Sequence, residues 1–122
     1  MFEQDYIMRM IRDLIRFIAK TFLNKETTVY ELPIEEKYTE TDYIHKELLI
    51  LLSQGKINEA ENMLFDQLEI NNKRYMELAL DFYERLNNLD DECLEKNNFS
   101  REEIEEGLKE IMQEFGISNI IY

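Results

Sequence analysis

Apolar residues recur along this chain every three or four positions, in blocks parted by short polar breaks. In the first block, Phe2 to Leu23, Ile7, Met10, Ile11, Leu14, Phe17, Ile18 and Phe22 mark a wide apolar face of one amphipathic helix. Arg9, Arg12, Arg16 and Lys20 follow one another at helical spacing and form a row opposite. A second block, Ile44, Leu48, Leu51 and Leu52, is separated from a third, Ile57, Ala60, Met63, Leu64 and Leu68, by a turn centred on Gly55. Gly55 stands where a helix end needs positive φ, which costs glycine nothing. So short a turn makes its two helices antiparallel neighbours. Asn71-Asn72 and Asn87-Asn88 bracket a further helix carrying Tyr75, Leu78, Ala79, Phe82 and Leu86. Asp90 to Lys96 reads as a short helical turn closed by Asn97-Asn98. Ser100 and Glu103 have the spacing of a reciprocal capping box, with Phe99 placed to staple against Ile104. That last helix presents Ile104, Leu108, Ile111, Met112 and Phe115 and stops at Gly116. Gly107 lies inside it at a cost of about 1 kcal/mol relative to alanine, which predicts a close helix crossing.

Residues 24–39 are the one linker. Thr27-Thr28-Val29-Tyr30 is β-prone, and Pro33 excludes a helix. Tyr30, Leu32, Ile34 and Tyr38 are apolar enough to lie on the body, as is the tail Ile117 to Tyr122. Thr39 or Thr41 can cap the next helix, with Asp42 in its first turn. The expected fold is all-α, a compact antiparallel helical domain spanning 1–122. Its parts are an N-terminal helix (1–23), the linker (24–39), a central helical group (40–88) and a C-terminal helical segment (89–122).

Gly55, Ile57, Glu59, Ala60 and Leu64 resemble the turn and second helix of a tetratricopeptide-type repeat. The resemblance extends through Tyr75, Leu78, Ala79, Phe82 and Leu86, giving one to one-and-a-half hairpins. Bulky Leu48 and Phe82 stand where the repeat has small residues, and no second glycine turn follows Leu86. Stacked repeats need about three units to bury their faces, so the pattern implies a compact domain rather than a solenoid. The ends of the chain, Phe2-Glu3-Gln4-Asp5-Tyr6-Ile7-Met8-Arg9 and Asn97 through Gly107, look like a family of small uncharacterised bacterial proteins, mainly Gram-positive. That resemblance implies an all-helical, repeat-like fold and a cytoplasmic setting, and carries no assigned activity.

Composition narrows the partners. The 122 residues suffice for a single core. Three Gly and one Pro leave long helices uninterrupted and exclude a many-turned β fold. The net charge is −13, which disfavours nucleic acid, where lysine and arginine must neutralise phosphates. The charge is unevenly spread. Residues 1–25 carry five basic and three acidic side chains, leaving nine and 24 for the rest. The arginine row is therefore expected to face carboxylates, in this chain or in a second copy. Membrane-surface binding is disfavoured, because anionic lipid would repel the acidic body. No apolar run approaches the roughly 20 residues of a membrane span. Glu3 and Asp5 at the start do not suit a signal peptide. A single cysteine, Cys93, fits a reducing cytosol and gives no zinc site.

Little here points to catalysis. His45 is the sole histidine, and Asp42-x-x-His45 is only half of a di-metal carboxylate pattern. A partly exposed helix position is expected for it. Glu102-Glu103-x-x-Glu106 matches the first magnesium motif of all-helical nucleotide pyrophosphatases, but a second acidic pair is needed to share the ion, and no Glu-x-x-Asp follows. The first-turn position of Glu102 and Glu103 is explained by the helix dipole. Asp91 and Glu92 should raise the Cys93 thiol pKa. The three isolated glycines form no phosphate loop. Tyr75, Phe82 and Tyr83 read as core. No catalytic residue, cofactor or metal is therefore assigned. The expected function is a non-enzymatic protein–protein interaction module, self-associating as a homodimer through Arg9, Met10, Arg12, Leu14, Arg16, Phe17 and Ile18. The alternative is a Mg-dependent nucleotide hydrolase using Glu102, Glu103 and Glu106.

Overall fold

The computed structural model describes residues 2–25 and 30–117. Among them the chain forms α1 (Phe2–Phe22), a 3-10 turn (Glu35–Lys37), α2 (Glu40–Ser53), α3 (Ile57–Gln67), α4 (Lys73–Asn87), α5 (Asp91–Lys96) and α6 (Arg101–Glu114), with no strand. The fold is an all-α helical bundle, as the apolar periodicity predicts.

The boundaries follow local chemistry. Gly55 adopts φ 75° and closes α2, so α3 begins two residues later. The Asn72 side chain accepts from the Arg74 N–H at 2.9 Å and starts α4. Asp90 does the same for α5 through the Cys93 N–H at 2.7 Å. Asn98, at φ 59°, takes the left-handed conformation that asparagine tolerates and ends that turn. Ser100 and Glu103 form the predicted reciprocal box, with the Ser100 N–H donating to Glu103 Oε2 at 2.8 Å and the Glu103 N–H to Ser100 Oγ at 3.2 Å.

The centre of the bundle is α4, which packs against α1, α2 and α6, while α2 pairs with α3 and α1 also meets α6. Its Leu78, Ala79, Leu80, Phe82, Tyr83 and Leu86 are all buried, so most of the surface of α4 is covered by its neighbours. Ile11, Ile15, Ile18 and Ala19 of α1 and Ile104, Leu108, Ile111 and Met112 of α6 complete the core. Two polar ties fix the helix ends. The buried Arg101 donates to the Leu89 carbonyl at 2.6 Å and pairs with Asp91, joining the start of α6 to the end of α4. Asn87 Nδ2 donates to the Met8 carbonyl at 2.9 Å, joining α4 to α1.

The linker departs from expectation in part. Tyr30 is buried, but Leu32 and Ile34 are 41% and 62% exposed. The segment is anchored near Tyr30 and at Thr39, and the stretch between them arcs over the surface around Pro33. The β-prone residues 27–29 and the tail beyond Ile117 lie outside the described residues; Ile117 itself is buried.

Gly107 marks the predicted close crossing. A Cβ there would overlap the Tyr83 phenol oxygen on α4 and approach a Glu61 carboxylate oxygen on α3 to 2.6 Å. Tyr83 and Glu61 are themselves joined by a 2.7 Å hydrogen bond, with Tyr83 donating. Gly107→Ala should therefore destabilise the fold by about 1–3 kcal/mol in urea titration, because overpacking outweighs the improved helix propensity. A gain in stability would show that α6 can slide away from Tyr83 at no cost.

Candidate functional site

The densest polar constellation is buried, and the linker builds it. Tyr30 enters between α2 and α4. Its backbone N–H donates to Asp81 Oδ1 at 3.0 Å, and its hydroxyl donates to Asp42 Oδ1 at 2.8 Å. Its ring stacks on His45 with centroids 4.4 Å apart, and the Arg74 guanidinium lies 3.9 Å from the ring centroid. Arg74 also donates to Asp42 Oδ1 at 2.9 Å, to Glu77 Oε2 at 3.0 Å and to the Glu31 carbonyl at 2.7 Å. Arg85 Nε donates to Asp81 Oδ2 at 2.7 Å, and His45 Nδ1 stands 3.7 Å from the same oxygen. Lys25 reaches Glu77 Oε2 at 3.0 Å, so the chain is tied to α4 on both sides of residues 26–29.

The electrostatics are those of a closed lock. Asp42 is 1% exposed. Burial pushes its carboxyl up, but hydrogen bonds from Thr39, Tyr30 and Arg74 win and hold it below the usual range. It accepts from the Thr39 N–H, the Thr39 hydroxyl, Tyr30 and Arg74, which fills the roughly four lone-pair sites of a carboxylate. Burial pushes the His45 imidazole below its ordinary pKa, against the attraction of Asp81 and with Arg85 and Arg74 assisting. His45 is thus neutral and packed, which corrects the expectation of a partly exposed histidine. Asp42 and His45 do share one helix face, as their spacing predicts, but they serve the Tyr30 contact.

Sequence reasoning placed Tyr30 on the body, where it is buried, but missed its polar partnerships and the roles of Arg74, Asp81 and Arg85. One signal was available: Asp81 interrupts the apolar run Leu78-Ala79-Leu80-Asp81-Phe82-Tyr83, and a carboxylate there must find partners.

The glutamates of the alternative reading lie elsewhere. Glu103 closes the Ser100 cap, Glu102 accepts from Gln4 Nε2 of α1 at 3.0 Å, and Glu106 is exposed. Among the described residues no group of three His, Cys, Asp or Glu side chains comes together in a way that could hold a metal ion. Glu61 of α3 does face this side of α6. Burial pushes its carboxyl up, and Glu103, Glu110 and Glu106 add to the rise.

The α1 residues divide. Ile18 has no exposed surface and belongs to this chain's own core, so it leaves the candidate interface. Met10 and Leu14 are half-buried, Phe17 is 46% exposed, and Tyr6, on the same edge, is 68% exposed. Arg9 and Arg16 are exposed and Arg12 is half-buried. Arg16 and Arg12 act on Glu84 of α4, opposing the upward push of burial and Asp81 on its carboxyl, so part of the arginine row finds its acidic counterpart within the chain. No helix among the described residues is long and apolar enough to cross a membrane.

The lock makes stability pH-dependent. A histidine whose folded pKa lies below its unfolded value of about 6.5 opposes folding once the unfolded chain begins to take up the proton. Stability should hold above that pH and fall as acidification passes below it. Asp42 adds its own loss only below about 4, where the unfolded carboxyl protonates. His45→Gln should flatten the slope of unfolding free energy between pH 7 and 5 and leave the steeper acid limb. An unchanged slope would mean that His45 is not the group responsible.

A search of curated proteins found no match, and no solved structure matches the chain. Residues 1–116 match DUF6483, a family of unknown function, and the chain belongs to that family.

Proposed function

We propose that this chain is a non-enzymatic helical interaction module that self-associates through the outer edge of α1. The observation that carries this reading is the apolar shoulder of Tyr6, Met10, Leu14 and Phe17. These positions recur at helical spacing beside the face that α1 buries against α4 and α6. From Tyr6 to Phe17 the shoulder runs roughly 16 Å along the helix.

A second copy of this chain suits the shoulder because the edge is complementary to itself. An antiparallel pairing about a two-fold axis near Ile11 and Arg12 sets Tyr6 of one copy beside Phe17 of the other. It sets Asp13 beside the second copy's Arg9 and keeps Met10 and Leu14 at the centre. A two-fold interface needs just such reciprocity. The acidic body, which repels like surfaces elsewhere, is relieved here by a helix of net positive charge. The α2–α3 hairpin, with Gly55 at positive φ and Ala60 buried, supports the likeness to one tetratricopeptide-type unit. One unit offers no concave solenoid surface, so the contact is placed on α1.

Replacing Tyr6 with Ser and Phe17 with Asp together should weaken the dimer at least tenfold by light scattering or sedimentation. Both side chains are substantially exposed, so thermal unfolding of the dissociated chain should shift little, within about 0.5 kcal/mol per site. A parent chain that stays monomeric at high concentration would overturn self-association.

A further inference from the structure

A cleft of about 500 Å³ opens between the α2–α3 turn and the α4–α5 corner. Its apolar wall is Leu49 and Leu52 of α2, Ile57 of α3 and Leu89 after α4. Arg85 and Cys93 also line it. That volume falls in the range of small-molecule sites, which combine apolar walls with a few placed polar groups.

Arg85 gives this cleft its chemistry. Its Nε is spent on Asp81, buried at 5% exposure, and the 2.7 Å contact orients the guanidinium. Its two Nη nitrogens have no hydrogen-bond partner among the described residues, and the side chain keeps 43% of its surface. A guanidinium held on one edge offers the remaining parallel N–H groups to a planar anion. We propose that the cleft binds a small apolar carboxylic acid, with its carboxylate on the Arg85 Nη nitrogens and its hydrocarbon part against Leu49, Leu52, Ile57 and Leu89. A phosphate or a sugar would leave those four side chains facing water, and an amine would meet Arg85 with like charge. The site is separate from the α1 shoulder, and its occupancy does not depend on self-association.

Cys93, the only thiol of the chain, reports on the cleft because it lines it. The full chain is treated with iodoacetamide in the presence of decanoate, decanol or decylammonium, all kept below their micellar concentrations. Decanoate should slow Cys93 alkylation at least threefold with a saturable dependence, while decanol acts weakly and decylammonium not at all. Arg85→Gln should raise the half-saturating decanoate concentration at least tenfold. Because Arg85→Gln also strips Asp81 of a partner, Leu52→Trp provides a second arm, filling the cleft from its wall with the Asp81 contact untouched. That variant should unfold at the parent temperature and lose decanoate protection. Equal protection by decanol and decanoate, no protection at all, or undiminished protection in Leu52→Trp would each overturn the proposal.

Discussion

Two carboxylates inside the bundle, Asp42 on α2 and Asp81 on α4, must be satisfied for the chain to fold as it does. At 1% and 5% exposure neither can rely on water. A buried charge left without partners costs several kcal/mol, a large share of the stability of a domain this size. Tyr30 meets both at once, giving its hydroxyl to Asp42 and its backbone N–H to Asp81. Arg74 and Arg85 supply the counter-charges from α4 itself. The approach of α2 to α4 and the path of the linker across them are thus one problem with one solution. Sliding α2 along α4 would break the Arg74–Asp42 bond, and lifting the linker away would take the Tyr30 N–H from Asp81.

The helices were legible in the chain because their causes are local. Periodic apolar stripes, Gly55 at a positive φ, the Ser100–Glu103 box and the asparagine pairs each act within a few residues, so a linear reading captures them. The lock was hidden because its causes are distant. Tyr30 bonds residues 12 and 51 positions away, and no local pattern couples them. On α2 the stripe that is buried is Thr41, Asp42, Ile44, His45 and Leu48. Hydropathy instead weights Leu51 and Leu52, which are half-buried. A polar side chain looks like solvent surface until its partner is known, and that moved the apparent face of the helix.

The α3–α6 side shows how close packing governs charge. Gly107 lets Tyr83 and Glu61 come between α4, α3 and α6, and the phenol caps the one carboxylate that the crossing buries. Burial pushes the Glu61 carboxyl up, the Tyr83 hydrogen bond opposes it, and Glu103, Glu110 and Glu106 of α6 add to the rise. The glycine is legible as a crossing; the acid it brings in is not, because Glu61 lies on a different helix.

The division of labour on α1 follows from the same balance. Its apolar face is wider than one groove can cover: Ile11, Ile15 and Ile18 are buried, and Tyr6 and Phe17 are left out. Periodicity reveals the excess width, yet only the packed body decides which edge is left over. Part of the arginine row lies near an acid of its own chain: Arg16 and Arg12 offset the upward push of burial and Asp81 on the Glu84 carboxyl. Among the described residues, Arg9 and the edge of Tyr6 and Phe17 stay exposed on α1. The backbone that carries Tyr6 and Phe17 is held by the packing of Ile11, Ile15 and Ile18 on the body, so the spacing of the two rings along the helix is set by the fold even though the rings themselves lie in solvent.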